Sequence, residues 1–143
     1  MTVPKPVPGL IVSFSFLWAE EAERGLQERQ KDRPCVVLAV YDSERGKRAI
    51  LAPVTHTAPH DLAHAIAVPA ALKAMLGLDD QPAWIVCAEW NITDWPGFDL
   101  GPASGRARGV YHYGMLPRGL YEKLRRLAQR LDDAGKARKT SRL

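Results

Sequence analysis

Cysteine is scarce in this chain: Cys35 and Cys87 are the only two, and each sits inside an apolar run. A disulfide framework or a metal knuckle needs more cysteines at closer spacing, so both read as reduced core thiols that pack as small hydrophobes. Long apolar runs are missing as well. No stretch reaches the roughly 20 residues that span a bilayer. The leading segment, with Pro4, Pro6 and Pro8, lacks the apolar centre of a secretory signal. A cytoplasmic protein with no membrane partner is therefore expected. Internal repeats and low-complexity tracts are absent too. With 143 residues, 46% hydrophobic and 25% charged, the composition is that of a single globular domain.

The formal net charge of +4 is small but unevenly placed. Between positions 118 and 130 lie Arg118, Lys123, Arg125, Arg126 and Arg130 against Glu122 alone, and further on come Lys136, Arg138, Lys139 and Arg142. Such a block attracts phosphate polymers or an acidic protein through long-range, salt-sensitive forces. Taken alone, the charge run reads first as a solvated helix face running into a basic tail.

Residues 12–16 alternate apolar and polar side chains, the pattern of a strand buried on one face. Residues 18–31 are charged and unpatterned and read as a long loop, a kind of segment that tends to be functional in a compact domain. Residues 34–41 and 48–54 are β-branched and apolar around turn chemistry at 42–47, which predicts a hairpin that Pro53 closes. Short strands are expected at 65–68, 84–88 and 110–113, with a short helix at 69–76 behind Pro69. Behind Pro117, the residues Leu116, Leu120, Leu124, Leu127, Ala128 and Leu131 recur at helical spacing, giving an amphipathic helix with its stripe on the sheet. The expected fold is mainly β (α+β), a small partly open barrel with a C-terminal amphipathic helix. Residues 1–131 form the domain, and 132–143 read as a disordered basic tail.

The predicted hairpin matters for function. If it closes, Arg33 at the start of one strand lies beside Thr55 at the end of the next, although they are far apart in the chain. Glu28 and His56 flank them. A guanidinium, a hydroxyl, a carboxylate and an imidazole at one site suit the binding and cleavage of a phosphodiester.

Several pieces together resemble the MazF/PemK family of toxin-antitoxin ribonucleases. They are Gly9-Leu10-Ile11-Val12, Glu28 five positions before Arg33-Pro34, Pro53-Val54-Thr55, and Tyr113-Gly114-Met115-Leu116-Pro117 opening the last helix. The resemblance covers about 7–131, and its most specific part is the arginine-proline strand start with the proline-x-threonine strand end. It implies an SH3-like barrel that forms a homodimer and cuts single-stranded RNA without a metal, leaving 2′,3′-cyclic phosphate and 5′-hydroxyl ends. It implies Arg33 and Thr55 as catalytic, Glu28 as the acidic loop residue, no cofactor, and an acidic antitoxin protein as partner. Some relatives on the same barrel instead inhibit a protein target such as gyrase. Non-catalytic inhibition is therefore the alternative function.

In 2′-hydroxyl attack on the adjacent phosphate, Arg33 can stabilise charge growing on the non-bridging oxygens, and Thr55 can hold the phosphate or the attacking hydroxyl. Glu28 beside cations reads as an orienting carboxylate rather than a base. His56 is either a general acid or base or a histidine that only bonds the strand end. Lys31 is a candidate substrate-binding cation. Trp18 and Trp90 are either base-stacking faces or core residues. This chain departs from the family pattern around 16–27, at His56 and across 84–100, which leaves the cleavage sequence open. His56, His60 and His64 recur every four residues with Asp61 among them, a spacing that suits zinc on one helix, but Pro59 interrupts the stretch. A polar loop is the simpler reading, and no metal site is assigned.

Overall fold

A computed structural model describes residues 3–25, 31–97 and 99–143. Strand β1 (Leu10–Ser15) and the short helix α1 (Ala19–Glu23) precede the longest hairpin, formed by β2 (Asp32–Ser43) and β3 (Gly46–Thr55). Its turn is tight: Ser43 Oγ donates to the Gly46 carbonyl at 2.9 Å, and Gly46 takes a φ of +109° that a side chain would strain. A single 3-10 turn (Leu62–His64), β4 (Ala65–Ala67), α2 (Ala70–Met75), β5 (Trp84–Val86) and β6 (Glu89–Trp95) follow. The chain ends with β7 (His112–Met115), α3 (Arg118–Asp133) and β8 (Arg138–Ser141).

The strands make one curled, mostly antiparallel half-barrel in the order β4-β5-β3-β2-β1-β7, closed off by the C-terminal helix α3. The curl comes from β3, which serves two partners along one edge. Residues 47–51 pair with β6, and Val54 and Thr55 pair with β5. Pro53, expected to end the strand, lies in the gap between those partners and opposite Cys35 of β2. Its missing N–H therefore costs no ladder bond on the β6 and β5 side, and the strand runs on to Thr55.

Both faces of the sheet are covered. On one, Ile11, Val36, Leu38, Ala52 and Val54 pack with Leu72, Leu124, Ala128 and Leu131 from α2 and α3. On the other, Val12, Phe14, Cys35, Val37 and Leu51 form a second cluster with Phe16 and Trp95. Helix α3 presents the predicted leucine stripe, and Tyr121 Oη ties it to β2 by donating to the Leu38 carbonyl at 2.7 Å. Both thiols are buried and free, as the composition suggests, and burial raises them, Cys87 to about 12.

Four expectations need correction. Strand β1 is buried along its whole length, Ser13 and Ser15 included, because both of its faces are covered: Ile11 packs in one cluster, Val12 and Phe14 in the other. Within the predicted loop 18–31, residues 19–23 form α1. A separate strand, β6, follows β5 in the segment read as one strand and a turn. The predicted disordered tail forms β8, parallel to β6 with Thr140 buried. The reversal into it starts at Gly135, whose φ is +70°: its N–H bonds the Asp132 carbonyl and the Lys136 N–H bonds the Leu131 carbonyl, the pairing of a glycine-terminated helix.

Leu124 is fully buried between α3 and the sheet. Leu124→Ala is expected to destabilise the fold by about 2–5 kcal/mol, seen as a lower urea midpoint at unchanged m-value. A midpoint within error of wild type would contradict the packing described.

Candidate functional site

The β2–β3 ladder pairs Cys35 with Pro53 and Val36 with Ala52. The same register continued by two residues sets Arg33 across from Thr55. Both side chains line one cleft of about 910 Å³, walled also by the start of α1, the loop after β3, the 3-10 turn, the start of β6 and the turn into β8. Glu28 lies outside the described residues.

Arg33 is half-buried, and its Nε is buried with no hydrogen-bond partner among the described residues. The guanidinium carbon stands 5.3 Å from the centre of the Trp18 ring, a cation–π contact. Trp18 in turn meets Phe16 edge-on, with ring centres 5.1 Å apart. Thr55 is nearly buried at the end of β3, where its Oγ1 accepts the Thr57 N–H at 3.1 Å. That bond uses a lone pair of the oxygen and leaves the hydroxyl its capacity to donate.

Strand β6 holds Trp18 in place. Asn91 is fully buried and clamps Leu17 at both ends: its Oδ1 accepts the Leu17 N–H at 2.8 Å, and its Nδ2 donates to the Leu17 carbonyl at 2.7 Å. Two positions earlier on the same strand, Glu89 Oε1 accepts the Ala19 N–H at 3.0 Å. The residues either side of Trp18 are thus pinned by polar side chains at i and i+2 of one strand, which share a face. The main-chain N–H of Trp18 donates to the Glu21 carboxylate at 3.0 Å, and Trp18 caps the start of α1.

Charge in the cleft is mixed. Arg33, Lys136 and Arg138 line it together with Glu20, Asp61 and Glu89. Arg138 pairs with Glu23 of α1 and approaches Glu89 to 4.0 Å, so β8 is tied to the helix beside the cleft. Burial pushes the Glu89 carboxyl above the usual range, and the Ala19 N–H and Arg138 offset part of that rise.

The other sequence candidates fall elsewhere. His56 is exposed and its Nδ1 lies 2.9 Å from the carbonyl of Pro82, in the loop before β5, rather than lining the cleft. Lys31 is exposed and does not line the cleft either. Trp90 is a core residue: it is 8% exposed, its Nε1 donates to the Cys87 carbonyl at 2.8 Å, and Lys139 Nζ sits 5.2 Å from its ring centre. A base cannot reach the face of a ring so enclosed. The three spaced histidines do not share a helix face. His60 and His64 line the cleft while His56 does not, and among the described residues no three His, Cys, Asp or Glu side chains converge as metal ligands.

Sequence reasoning overlooked Glu89, Lys136 and Arg138 as cleft residues. The signal for Glu89 is the polar pair Glu89 and Asn91 around a tryptophan on an otherwise apolar strand. The signal for Lys136 and Arg138 is Gly135, which turns the chain back onto the sheet. Comparison with protein-family models, with curated proteins and with solved structures finds no match to this chain.

The raised Glu89 carboxyl has a stability consequence. A carboxyl that holds its proton more tightly when folded makes the protein lose stability as pH rises from the ordinary carboxylate range through the folded value. Glu89→Gln keeps an acceptor for the Ala19 N–H and removes the titration. The stability of wild type relative to Glu89→Gln is therefore expected to fall across that window, measured as urea midpoints on either side of it. Parallel pH dependence in the two proteins would contradict the burial of this charge.

Proposed function

We propose that the cleft binds and cuts single-stranded RNA, and that the protein is the toxin of a type II toxin–antitoxin pair. The observation that carries the reading is the convergence of Arg33, Thr55 and Trp18 on one cleft. Arg33 and Thr55 are groups that can serve phosphodiester transesterification. When a 2′-hydroxyl attacks the neighbouring phosphorus, negative charge grows on the non-bridging oxygens, and a planar guanidinium meets it with paired hydrogen bonds. The Thr55 hydroxyl donates to the same phosphate or orients the attacking oxygen. Trp18, half-exposed beside them, offers a ring on which an unpaired base stacks. The bond that breaks leaves a 2′,3′-cyclic phosphate and a 5′-hydroxyl, and Arg33 supplies the charge stabilisation without a metal ion.

The mixed charge of the cleft means that it does not hold a long polyanion by itself. Arg118, Lys123, Arg126 and Arg130 are exposed on α3 and supply the longer-range attraction, for RNA or for an acidic antitoxin. The reading further takes the toxin as a cytoplasmic homodimer. Among the described residues no helix is long and apolar enough to cross a membrane.

The test is digestion of single-stranded RNA by purified protein in the presence of chelator. Wild type is expected to cut, and Arg33→Ala to cut about 10²–10³-fold more slowly while melting like wild type. RNA left intact by wild type, with Arg33→Ala equally toxic in cells, would refute the ribonuclease reading and favour inhibition of a protein target.

A further inference from the structure

A 2′-hydroxyl attack needs an acceptor for the attacking proton. Neither a guanidinium nor a threonine hydroxyl takes one near neutral pH. His56, the nearest imidazole in sequence to Thr55, is engaged at the Pro82 carbonyl outside the cleft. A second imidazole does line the cleft, on the wall formed by the 3-10 turn.

We propose that His64 is the general base of this cleft and that Asp61 is its positioning residue. The inference rests on the ribonuclease reading above. Asp61 is itself fixed: Oδ1 accepts the Ala63 N–H at 2.9 Å, and Oδ2 lies 3.3 Å from His64 Nε2. In the tautomer that donates Nε2–H to that carboxylate, the basic lone pair sits on Nδ1. The main chain of His64 is held as well. Its carbonyl accepts the Cys87 N–H at 2.8 Å, and the next residue, Ala65, starts β4 opposite Val86 of β5. The His64 side chain is 26% exposed, open enough to meet substrate and enclosed enough to keep one orientation. An imidazole oriented by a carboxylate that also stabilises the imidazolium is a general arrangement for proton abstraction.

The step balances. His64 Nδ1 takes the 2′-hydroxyl proton as the O2′–phosphorus bond forms. The phosphorus–O5′ bond breaks, the 5′ oxygen leaves with a proton from water, and the imidazolium returns its proton to solvent. Charged groups sharing the cleft with His64 are Arg33, Lys136 and Arg138 against Asp61, Glu20 and Glu89, with His60 as a second imidazole. His60 has no carboxylate partner among the described residues, which is why His64 is assigned the role.

The test is kcat/KM on single-stranded RNA across pH for wild type, Arg33→Ala, His64→Ala and Asp61→Asn. His64→Ala is expected to lose about 10²–10⁴-fold together with the acid limb of the profile, and to recover part of the rate when free imidazole is added. Asp61→Asn should lose less, and lose it in kcat rather than in KM. If wild type cuts and Arg33→Ala does not, but His64→Ala matches wild type in rate and pH profile, the base assignment falls and the ribonuclease reading stands. Slowed cleavage by His64→Ala that keeps the wild-type profile and ignores imidazole would overturn it too. Failure of wild type to cut overturns both.

Discussion

The cleft depends on the register of one hairpin. Cys35 opposite Pro53 is the ladder pair from which Arg33 and Thr55 come to face one space, and that pairing is set by the apolar content of both strands. In a sheet covered on both faces, a slip of one residue would exchange every side chain between the two clusters. Val36 and Leu38 face α3 while Cys35 and Val37 face Phe14 and Trp95, so a slipped hairpin has no good alternative packing. Core packing therefore fixes the placement of two polar groups at the strand ends. The groups themselves contribute little to holding the hairpin together.

A second constraint is polar and comes from β6. Asn91 is fully buried with its amide engaged at both ends by the Leu17 backbone, so removing it would leave buried backbone groups unpaired. Such a group specifies one geometry where an apolar residue would tolerate several. What it specifies is the position of Trp18, hence the ring against which the Arg33 guanidinium lies. The same strand carries Glu89 to the start of α1 and supports β8, whose Arg138 reaches back to Glu23. Helix α1 and strand β8, far apart in the chain, thus meet beside the cleft through a strand that belongs to neither.

The sequence makes some of this legible and hides the rest for physical reasons. The hairpin and α3 are legible because their periodicities are long and regular: ten or more β-rich residues a side, and a leucine stripe behind Pro117. Arg33 and Thr55 follow from the hairpin. Strand β1 misleads because Ser13 and Ser15 look solvent-facing, yet a sheet covered on both faces buries small polar side chains too. Strand β8 misleads because Arg138, Lys139 and Ser141 are exposed and Thr140 alone points inward, so four residues carry almost no apolar signal. Trp90 and Trp18 are alike in composition terms. Only the packing separates the core ring from the half-exposed one. His64 could not be preferred over His56 from spacing, because the choice depends on the turn that brings Asp61 to its ring.

The proposed transesterification through the 2′-hydroxyl at the Arg33 and Thr55 cleft can be tested with the substrate itself. An RNA oligonucleotide that the protein cuts at one position is remade with a single 2′-deoxy nucleotide on the 5′ side of that bond, and binding and cleavage are measured on both. The account predicts that the deoxy substrate binds with nearly unchanged affinity and is not cut there. Cleavage at the deoxy position at a comparable rate would mean that water or another nucleophile attacks the phosphorus, and it would contradict the mechanism proposed for this cleft.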